Sequence, residues 1–353
     1  VAHGLIFGRD IIFSYGPYAA IVTKEYHPAV DFLIFYGSLF FGFNYSMVLL
    51  LLMPKKLKSL YVLLLILYLV GFVFSRDALF LAFPLLFSLL VYRMLLPQGH
   101  SEKIVLKPAL QYCIFTSAFA VFGLLPLIKI SFLLFSGISA VICSLLFFYQ
   151  KNFLAAGLAI SAPPCFSMLF WLATGQTALS FFSFFTEALP IVTGYSEAMA
   201  LASKPGEILF FLCAAGLLLY TIGKDDSSPQ SHRLFLFASY GLFLFVAFKS
   251  GFVRHDGHAI KAGSSLILCG LSMIFKLQRV PAVKIFAILL ALYAGFHIEG
   301  FYADNSIHNT HLRIFNTCEN AWVGLNQRLT EPQVFQRRYE QVLERIRAQH
   351  EIA

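Results

Sequence analysis

Charged side chains are scarce in this chain. Asp, Glu, Lys and Arg together make up 12% of its 353 residues, whereas soluble domains contain roughly 25%. Hydrophobic residues make up 59%, and Phe alone occurs 40 times. This composition argues against a water-soluble fold and is typical of a protein that crosses a membrane several times.

The chain also lacks the signals of a nucleic-acid-binding, zinc-binding or disulfide-rich protein. Its net charge is +8, but the basic residues are spread over many loops, where they meet anionic lipid headgroups, and none forms a stretch interleaved with exposed aromatics. We therefore expect membrane lipids and no nucleic acid as partners. The six Cys include no Cys-x-x-Cys pair, and five are predicted to be buried apolar filler because they lie in apolar runs: Cys113, Cys143, Cys165, Cys213 and Cys269.

Ionisable residues are missing from the middle of every predicted span. Asn44 is the most polar side chain there, and a single amide commonly forms a hydrogen bond between helices. Ion-coupled transporters place ionisable groups near the bilayer midplane. The sequence therefore argues against a secondary transporter and favours chemistry at a membrane surface.

Ten apolar runs are long enough to cross a bilayer, which takes about 20 residues or fewer when flanking residues snorkel. Short connections at Lys129 and at Gln150-Lys151 predict tight helical hairpins. The predicted fold is all-α: residues 1–30 form an outer loop segment, 31–301 a transmembrane helical bundle, and 302–353 an extracytoplasmic tail. The ten spans are Asp31 to Met53, Ser59 to Phe74, Ala78 to Leu96, Ala109 to Ile128, Ile130 to Tyr149, Asn152 to Ala173, Glu207 to Ile222, Leu234 to Phe248, Ala262 to Phe275 and Val283 to Phe301.

The distribution of Lys and Arg predicts the orientation of the bundle. More of them lie in the set of loops that includes Lys55 and Lys103 than in the opposite set, so the first set is placed in the cytoplasm. The opening segment, the Arg76-Asp77 turn, residues 174–205, the 249–261 loop and the tail then all lie on the outer face. Because the chain begins at Val1 without a signal peptide, we expect a fragment that lacks an N-terminal segment.

One outer segment is expected to lie on the membrane surface, and a helix in the tail is expected to pack on the rest of the outer domain or on headgroups. Residues 174–205 are too polar to span and too apolar to float free, which fits either a partly re-entrant lid or an ordinary interfacial loop. In the tail, Thr330 to Gln333 predicts a capping box that opens an amphipathic helix.

Two polar islands interrupt the apolar sequence, at residues 8–17 and 252–258. In the first, Arg9-Asp10 provides a carboxylate that can act as a general base or hold a divalent cation such as Mg²⁺ or Mn²⁺. Arg76-Asp77 repeats this pair in the next outer turn, with similarly spaced Phe residues. We therefore expect Asp10 and Asp77 to converge over one site, although surface salt bridges remain an alternative.

The second island combines several cationic groups with one carboxylate. Arg254, His255 and His258 surround Asp256, and such a group suits a phosphate, because Arg forks onto phosphate oxygens and His donates or shuttles a proton. A metal site that includes His255, Asp256 and His258 is an alternative, but the spacing matches no strong metal signature. Arg9 is a further candidate for phosphate binding.

The first island resembles a G-x-D-x-x-F-[ST]-Y-G-P pattern of bacterial polytopic proteins whose architecture is similar to the GT-C class of membrane glycosyltransferases. The resemblance implies sugar transfer from a polyprenyl-phosphate donor to an acceptor outside the cytoplasm, in the bacterial inner (plasma) membrane. It implies that Asp10 is the essential acidic residue, that Asp77 assists it, with or without a divalent cation, and that Arg254, His255 or His258 holds the lipid phosphate. Alternatives are a non-catalytic translocator or assembly partner for lipid-linked glycans and a purely structural membrane subunit.

Overall fold

The computed structural model describes residues 3–53, 75–97, 100, 103–201, 204–276, 282–302 and 310–351. Within these ranges the chain forms helices and no strand, apart from three isolated β-bridges. The α-helices are α1 (Ala20–Thr23), α2 (Asp31–Leu52), α3 (Arg76–Leu95), α4 (Pro108–Ile128), α5 (Phe132–Tyr149), α6 (Phe153–Ala173), α7 (Ala178–Ala198), α8 (Pro205–Gly223), α9 (Gln230–Phe252), α10 (Ala259–Ser272), α11 (Ala282–Tyr302), α12 (Thr310–Thr330) and α13 (Gln333–Glu351); 3₁₀ turns cover Pro28–Val30 and Met273–Lys276.

Eight of the described helices are long and apolar enough to cross a membrane: α2, α3, α4, α5, α6, α8, α9 and α11. Each coincides with a predicted span, so the chain is an all-α integral membrane protein. The predicted span from Ala262 to Phe275 is the shorter helix α10 and the 3₁₀ turn after it. The predicted span from Ser59 to Phe74 lies outside the described residues. The hairpins predicted at Lys129 and Gln150-Lys151 are confirmed by the α4–α5 and α5–α6 connections.

Helix α3 lies at the centre of the bundle and is buried along almost its whole length. The core around it is rich in Phe, with Phe83 and Phe87 contacting Phe122 of α4. Asn44 is fully buried and accepts a hydrogen bond of 2.7 Å from Ser117 of α4, which confirms that its amide joins two helices. The expectation that five Cys are buried holds for Cys143 and Cys269, whereas three lie exposed on the outer surface of the bundle: Cys113, Cys165 and Cys213.

The two polar islands lie at the same end of the bundle, called here the island end. This end carries the first residues of α3, α5, α8 and α10 and the last residues of α4, α6, α9 and α11, as expected for helices that alternate in direction. At the opposite end, Arg93 donates to the backbone oxygen of Leu52, and Lys284 lies 3.8 Å from Asp225. The predicted placement of both islands on one membrane face is consistent with these contacts.

Two local predictions need correction. Of the two alternatives for residues 174–205, the ordinary interfacial loop is wrong, because most of this segment is α7, which packs Phe181 and Phe184 against Trp171; the partly re-entrant lid stays a prediction. Thr330 does not open the last helix: it ends α12, and its hydroxyl donates to the backbone oxygen of Asn326 in the preceding turn. The tail therefore contains two helices, since the 21-residue helix α12 precedes the amphipathic helix that the sequence indicated.

Candidate functional site

A cavity of about 350 Å³ opens at the island end. Its walls come from the N-terminal segment, the start of α3, the α4–α5 turn and the start of α10. The lining residues are Tyr15, Val22, Thr23, Ser75, Arg76, Asp77, Lys129, Gly257, Ile260 and Lys261. Both polar islands therefore contribute to one concave surface, which is where a ligand site is expected in a protein of this kind.

The first island reaches the cavity through Tyr15. Its backbone pairs with the α4–α5 turn: Ile130 donates to the backbone oxygen of Ser14 at 2.9 Å, and Tyr18 donates to that of Leu127 at 3.1 Å. Gly16 is required for this approach, because a Cβ there would lie 2.3 Å from the backbone oxygen of Leu127. The ring of Tyr15 consequently lies 5.2 Å from the Lys129 ammonium.

Asp77 lies between two lysines on the cavity wall. Its carboxylate is 2.6 Å from Lys129 Nζ and 3.3 Å from Lys261 Nζ, and all three side chains are largely buried. Burial alone would lower the pKa of Lys129, but the charge of Asp77 and its hydrogen bond outweigh burial and raise it. Lys129 therefore stays protonated at neutral pH and pairs with Asp77. Burial, followed by the charge of Lys129, lowers the pKa of Lys261.

Arg76 adds a further positive charge to the cavity. Its guanidinium donates to the backbone oxygen of Val22 at 2.7 Å, which ties the start of α3 to the N-terminal segment. Burial, and the nearby charge of Arg76, lower the pKa of Lys24. The cavity wall therefore holds three cationic side chains, Arg76, Lys129 and Lys261, and one carboxylate, Asp77. Such an excess favours an anionic ligand.

Asp10 lies outside the cavity lining. Its carboxylate accepts two hydrogen bonds from the Arg9 guanidinium, at 2.8 and 2.9 Å, and one of 2.9 Å from the backbone N–H of Ile6. The pKa of Asp10 is lowered to about 2, mainly by the hydrogen bond from Arg9 and to a smaller extent by the hydrogen bond from Ile6. Gly8 completes this turn at φ +83°, where a Cβ would lie 2.4 Å from the backbone nitrogen of Phe184 on α7.

The second island forms an ion-paired loop beside the cavity. Asp256 accepts from Arg254 Nε at 2.6 Å, from the backbone N–H of His258 at 2.9 Å, and lies 2.7 Å from His258 Nδ1. These hydrogen bonds and charges outweigh burial and hold the pKa of Asp256 well below its usual range. The island lines the cavity through Gly257, whereas Arg254 and His258 are half-exposed and lie outside the lining.

The side chain of His255 points into the protein interior. Its Nε2 lies 2.8 Å from the carboxylate of Glu207 at the start of α8, and the Tyr302 hydroxyl donates to the same carboxylate oxygen at 2.8 Å. His255 and Glu207 are fully buried. Sequence reasoning assigned His255 to phosphate binding and missed Glu207, for which the sequence offers one signal: a carboxylate at the outer boundary of an apolar span, a place where buried charge needs a partner.

The three carboxylates suggested as metal ligands are each paired with cations. Asp10 binds Arg9, Asp77 binds Lys129 and Lys261, and Asp256 binds Arg254. Among the described residues, no group of three or more His, Cys, Asp or Glu side chains is arranged to hold a metal ion. Ammonium and guanidinium neighbours repel a cation, so this donor set does not fit Mg²⁺ or Mn²⁺.

The structure therefore brings together part of the predicted site. Asp77 lies in the cavity, and the loop that carries Arg254 and His258 borders it, whereas Asp10 and Arg9 pair with each other outside the lining. Lys129 and Tyr15 were missed as site residues. The signal for Lys129 was present in the sequence, because this lysine interrupts apolar residues at the end of a predicted span.

No family model matches the chain, and neither the curated proteins nor the solved structures include a similar one at a significant level. The resemblance to membrane glycosyltransferases therefore stays a prediction.

Proposed function

We propose that this membrane protein binds a polyprenyl-phosphate-linked sugar at the island end and transfers the sugar to an acceptor hydroxyl on that face. The observation that carries this proposal is the cavity wall on which Lys129 and Lys261 contact a single carboxylate, Asp77, and to which Arg76 adds a third cation. A phosphate oxygen is the complementary ligand for such a group, because ammonium and guanidinium donors form short, charge-assisted hydrogen bonds with it.

The same cluster can couple donor binding to catalysis. A phosphate that enters the cavity competes with Asp77 for the two ammonium groups and leaves the carboxylate available to the acceptor. In the transfer step the bond between the sugar and the phosphate oxygen breaks, a bond forms to the acceptor oxygen, and the hydroxyl proton passes to Asp77. The negative charge that develops on the leaving phosphate is stabilised by Lys129, Lys261 and Arg76, an effect worth several kcal/mol in preorganised sites.

The second candidate is a translocator or assembly partner that binds lipid-linked glycans without transferring the sugar. It is favoured by the engagement of Asp77 with two lysines and of Asp10 with Arg9. If the ligand does not displace these partners, neither carboxylate can serve as a general base. The two candidates share the phosphate site and differ only in whether a bond is broken.

The two candidates are separated by measuring binding and transfer on the same variants in proteoliposomes. We expect Asp77→Asn to bind a polyprenyl-phosphate sugar at least as tightly as the unmodified chain, because the phosphate no longer competes with a carboxylate for Lys129 and Lys261. The variant should transfer the sugar at least 100-fold more slowly, since general base catalysis contributes about 10²–10⁴-fold. Lys129→Gln is expected to weaken donor binding at least tenfold. Asp226→Asn, at the opposite end of the bundle and exposed, is the control and should leave both properties unchanged.

Asp10→Asn tests the role that the resemblance implies for Asp10. A loss of transfer equal to that of Asp77→Asn would place Asp10 in the reaction, despite its position outside the cavity lining. Donor binding without detectable transfer by the unmodified chain would favour the translocator. Donor binding that is unaffected by Lys129→Gln and Lys261→Gln would contradict both candidates.

A further inference from the structure

The tail carries an apolar stripe that nothing in the described part of the chain covers. On α12, Phe315, Cys318, Trp322, Leu325 and Leu329 recur at intervals of three and four residues, which places them on one face of the helix. All five are exposed: Phe315 by 67%, Trp322 by 69% and Leu329 by 75%. Exposed stripes of this size and regularity mark a surface that is buried against something else.

The C-terminal end of α12 is held close to the membrane boundary. At its C-terminal end, Arg328 forms a bidentate ion pair with Asp31, the first residue of the span α2. The same guanidinium lies 4.7 Å from the ring of Phe35, one turn further into that span. At the other end, α12 follows the span α11, which ends at Tyr302.

Chain length then limits how α12 can be oriented. Its rise from Thr310 to Arg328 is about 27 Å at 1.5 Å per residue. The chain from Tyr302 to Thr310 extends at most about 29 Å, so an upright α12 would need a fully stretched connection directly above the bundle. A helix that lies along the boundary satisfies both attachments without that stretch.

We propose that α12 is an in-plane interfacial helix whose Phe315–Leu329 stripe inserts into the lipid bilayer beside the bundle. The occupant of this surface is the boundary between headgroups and acyl chains, where Trp, Phe and Leu on one face of an amphipathic helix bind. Trp322 in the centre of the stripe fits that depth, since Trp is enriched at membrane interfaces. Insertion of this stripe into lipid does not require the cavity to bind a phosphate lipid.

Trp322 supplies its own probe, because the chain contains two Trp and the other, Trp171, is fully buried in the bundle. Fluorescence is measured in liposomes of phosphatidylcholine and of its brominated form, and the signal of a Trp322→Phe variant, which retains Trp171, is subtracted. We expect brominated lipid to reduce the Trp322 signal at least twofold, whereas aqueous acrylamide reduces it little.

The matched control moves the indole to the other side of the same helix. Asn320 is exposed and lies about 200° from Trp322 around the helix axis, so Asn320→Trp in the Trp322→Phe background should show the reverse pattern. A Trp322 signal that acrylamide quenches and brominated lipid does not would overturn the proposal. A Trp322 signal that neither quencher reduces would also overturn the proposal. If two chains were then cross-linked through Cys318 on oxidation, the occupant of the stripe would be a second copy of the chain.

Discussion

At the scale of one residue, the missing side chain of Gly16 allows the first island to pack against the end of α4. The Tyr15-Gly16 backbone lies directly against the end of α4, and this approach positions the Tyr15 ring beside Lys129. We expect Gly16→Ala to destabilise the protein by about 1–3 kcal/mol, because its Cβ would meet the backbone oxygen of Leu127, which cannot move aside cheaply. Thermal unfolding in detergent measures the effect. Gly42→Ala is the control, since nothing lies within 4 Å of a Cβ there, and equal behaviour of the two variants would contradict the assigned role.

The Glu207–His255 pair is predicted to couple strongly because it is fully buried. Removing one partner leaves a polar group in the interior without its hydrogen bond, which costs about 1–3 kcal/mol. A double-mutant cycle with Glu207→Ala and His255→Ala should give a coupling free energy of about 1–3 kcal/mol. The same cycle on Arg233 and Asp226, a pair in which Asp226 is 91% exposed, should give less than about 1 kcal/mol. Equal coupling in the two cycles would mean that burial does not determine the strength of these pairs.

The lowered pKa of Asp10 predicts that its contribution to the stability of the folded protein changes only at acid pH. Its pKa in the folded protein is about 2, below the value of about 3.9 for an unperturbed Asp. A depressed pKa stabilises the folded state above the unfolded value, and the contribution is lost as the pH falls through the folded value. The stability difference between the unmodified chain and Asp10→Asn should therefore stay constant from pH 8 to pH 5 and shrink between about pH 4 and pH 2. A change near pH 6 would show that another group titrates.

At the scale of helices, the packing of α10 on α11 determines where Lys261 lies. Gly263 and Gly295 face each other so closely that a Cβ on Gly263 would lie 2.8 Å from the Gly295 backbone oxygen, and one on Gly295 would lie 2.7 Å from that of Gly263. Small residues at a helix contact allow such close approach in membrane proteins. The contact holds α10 in place, and Lys261 in its first turn therefore reaches the cavity.

Because of this contact, we expect a methyl group added at Gly295 to alter ligand binding in the cavity, although Gly295 does not line the cavity. Gly295→Ala should lower stability by about 1–3 kcal/mol and weaken binding of a phosphate lipid, because α10 must shift and carry Lys261 with it. Gly216→Ala on α8 is the matched control, since a Cβ there meets nothing within 4 Å. Lowered stability with unchanged binding would show that the position of α10 does not control the cavity.

At the scale of the whole molecule, the bundle separates two sets of polar residues by the thickness of a membrane. Glu25 lies at the island end, before the first span, and Asp226 is exposed at the other end, between α8 and α9. In a variant whose six Cys are replaced by Ser, a membrane-impermeant maleimide should label Glu25→Cys in intact cells and Asp226→Cys only after permeabilisation. The reverse pattern would place the island end in the cytoplasm, and labelling of both in intact cells would contradict the bundle topology.

The sequence by itself determined the class of protein and most of its spans. Hydrophobic runs of sufficient length dictate membrane helices, because a bilayer leaves backbone N–H and C=O groups no partner other than the helix itself. Asn44 was identified as a contact between helices because it is a polar side chain in the middle of an apolar span. Asp77 was identified as a candidate site residue because Arg76-Asp77 repeats the Arg9-Asp10 pair. These features depend on local composition, which a single sequence displays directly.

Only the tertiary structure decided which charged residues meet. Asp10 and Asp77 share a sequence pattern, yet Asp10 folds back onto Arg9 while Asp77 joins Lys129 and Lys261, which lie 52 and 184 positions further along the chain. The partner of His255, which lies in the loop between α9 and α10, is Glu207 at the start of α8. Pairing of this kind depends on how helices cross and on close glycine contacts between them, and the spacing of residues along one chain does not specify either.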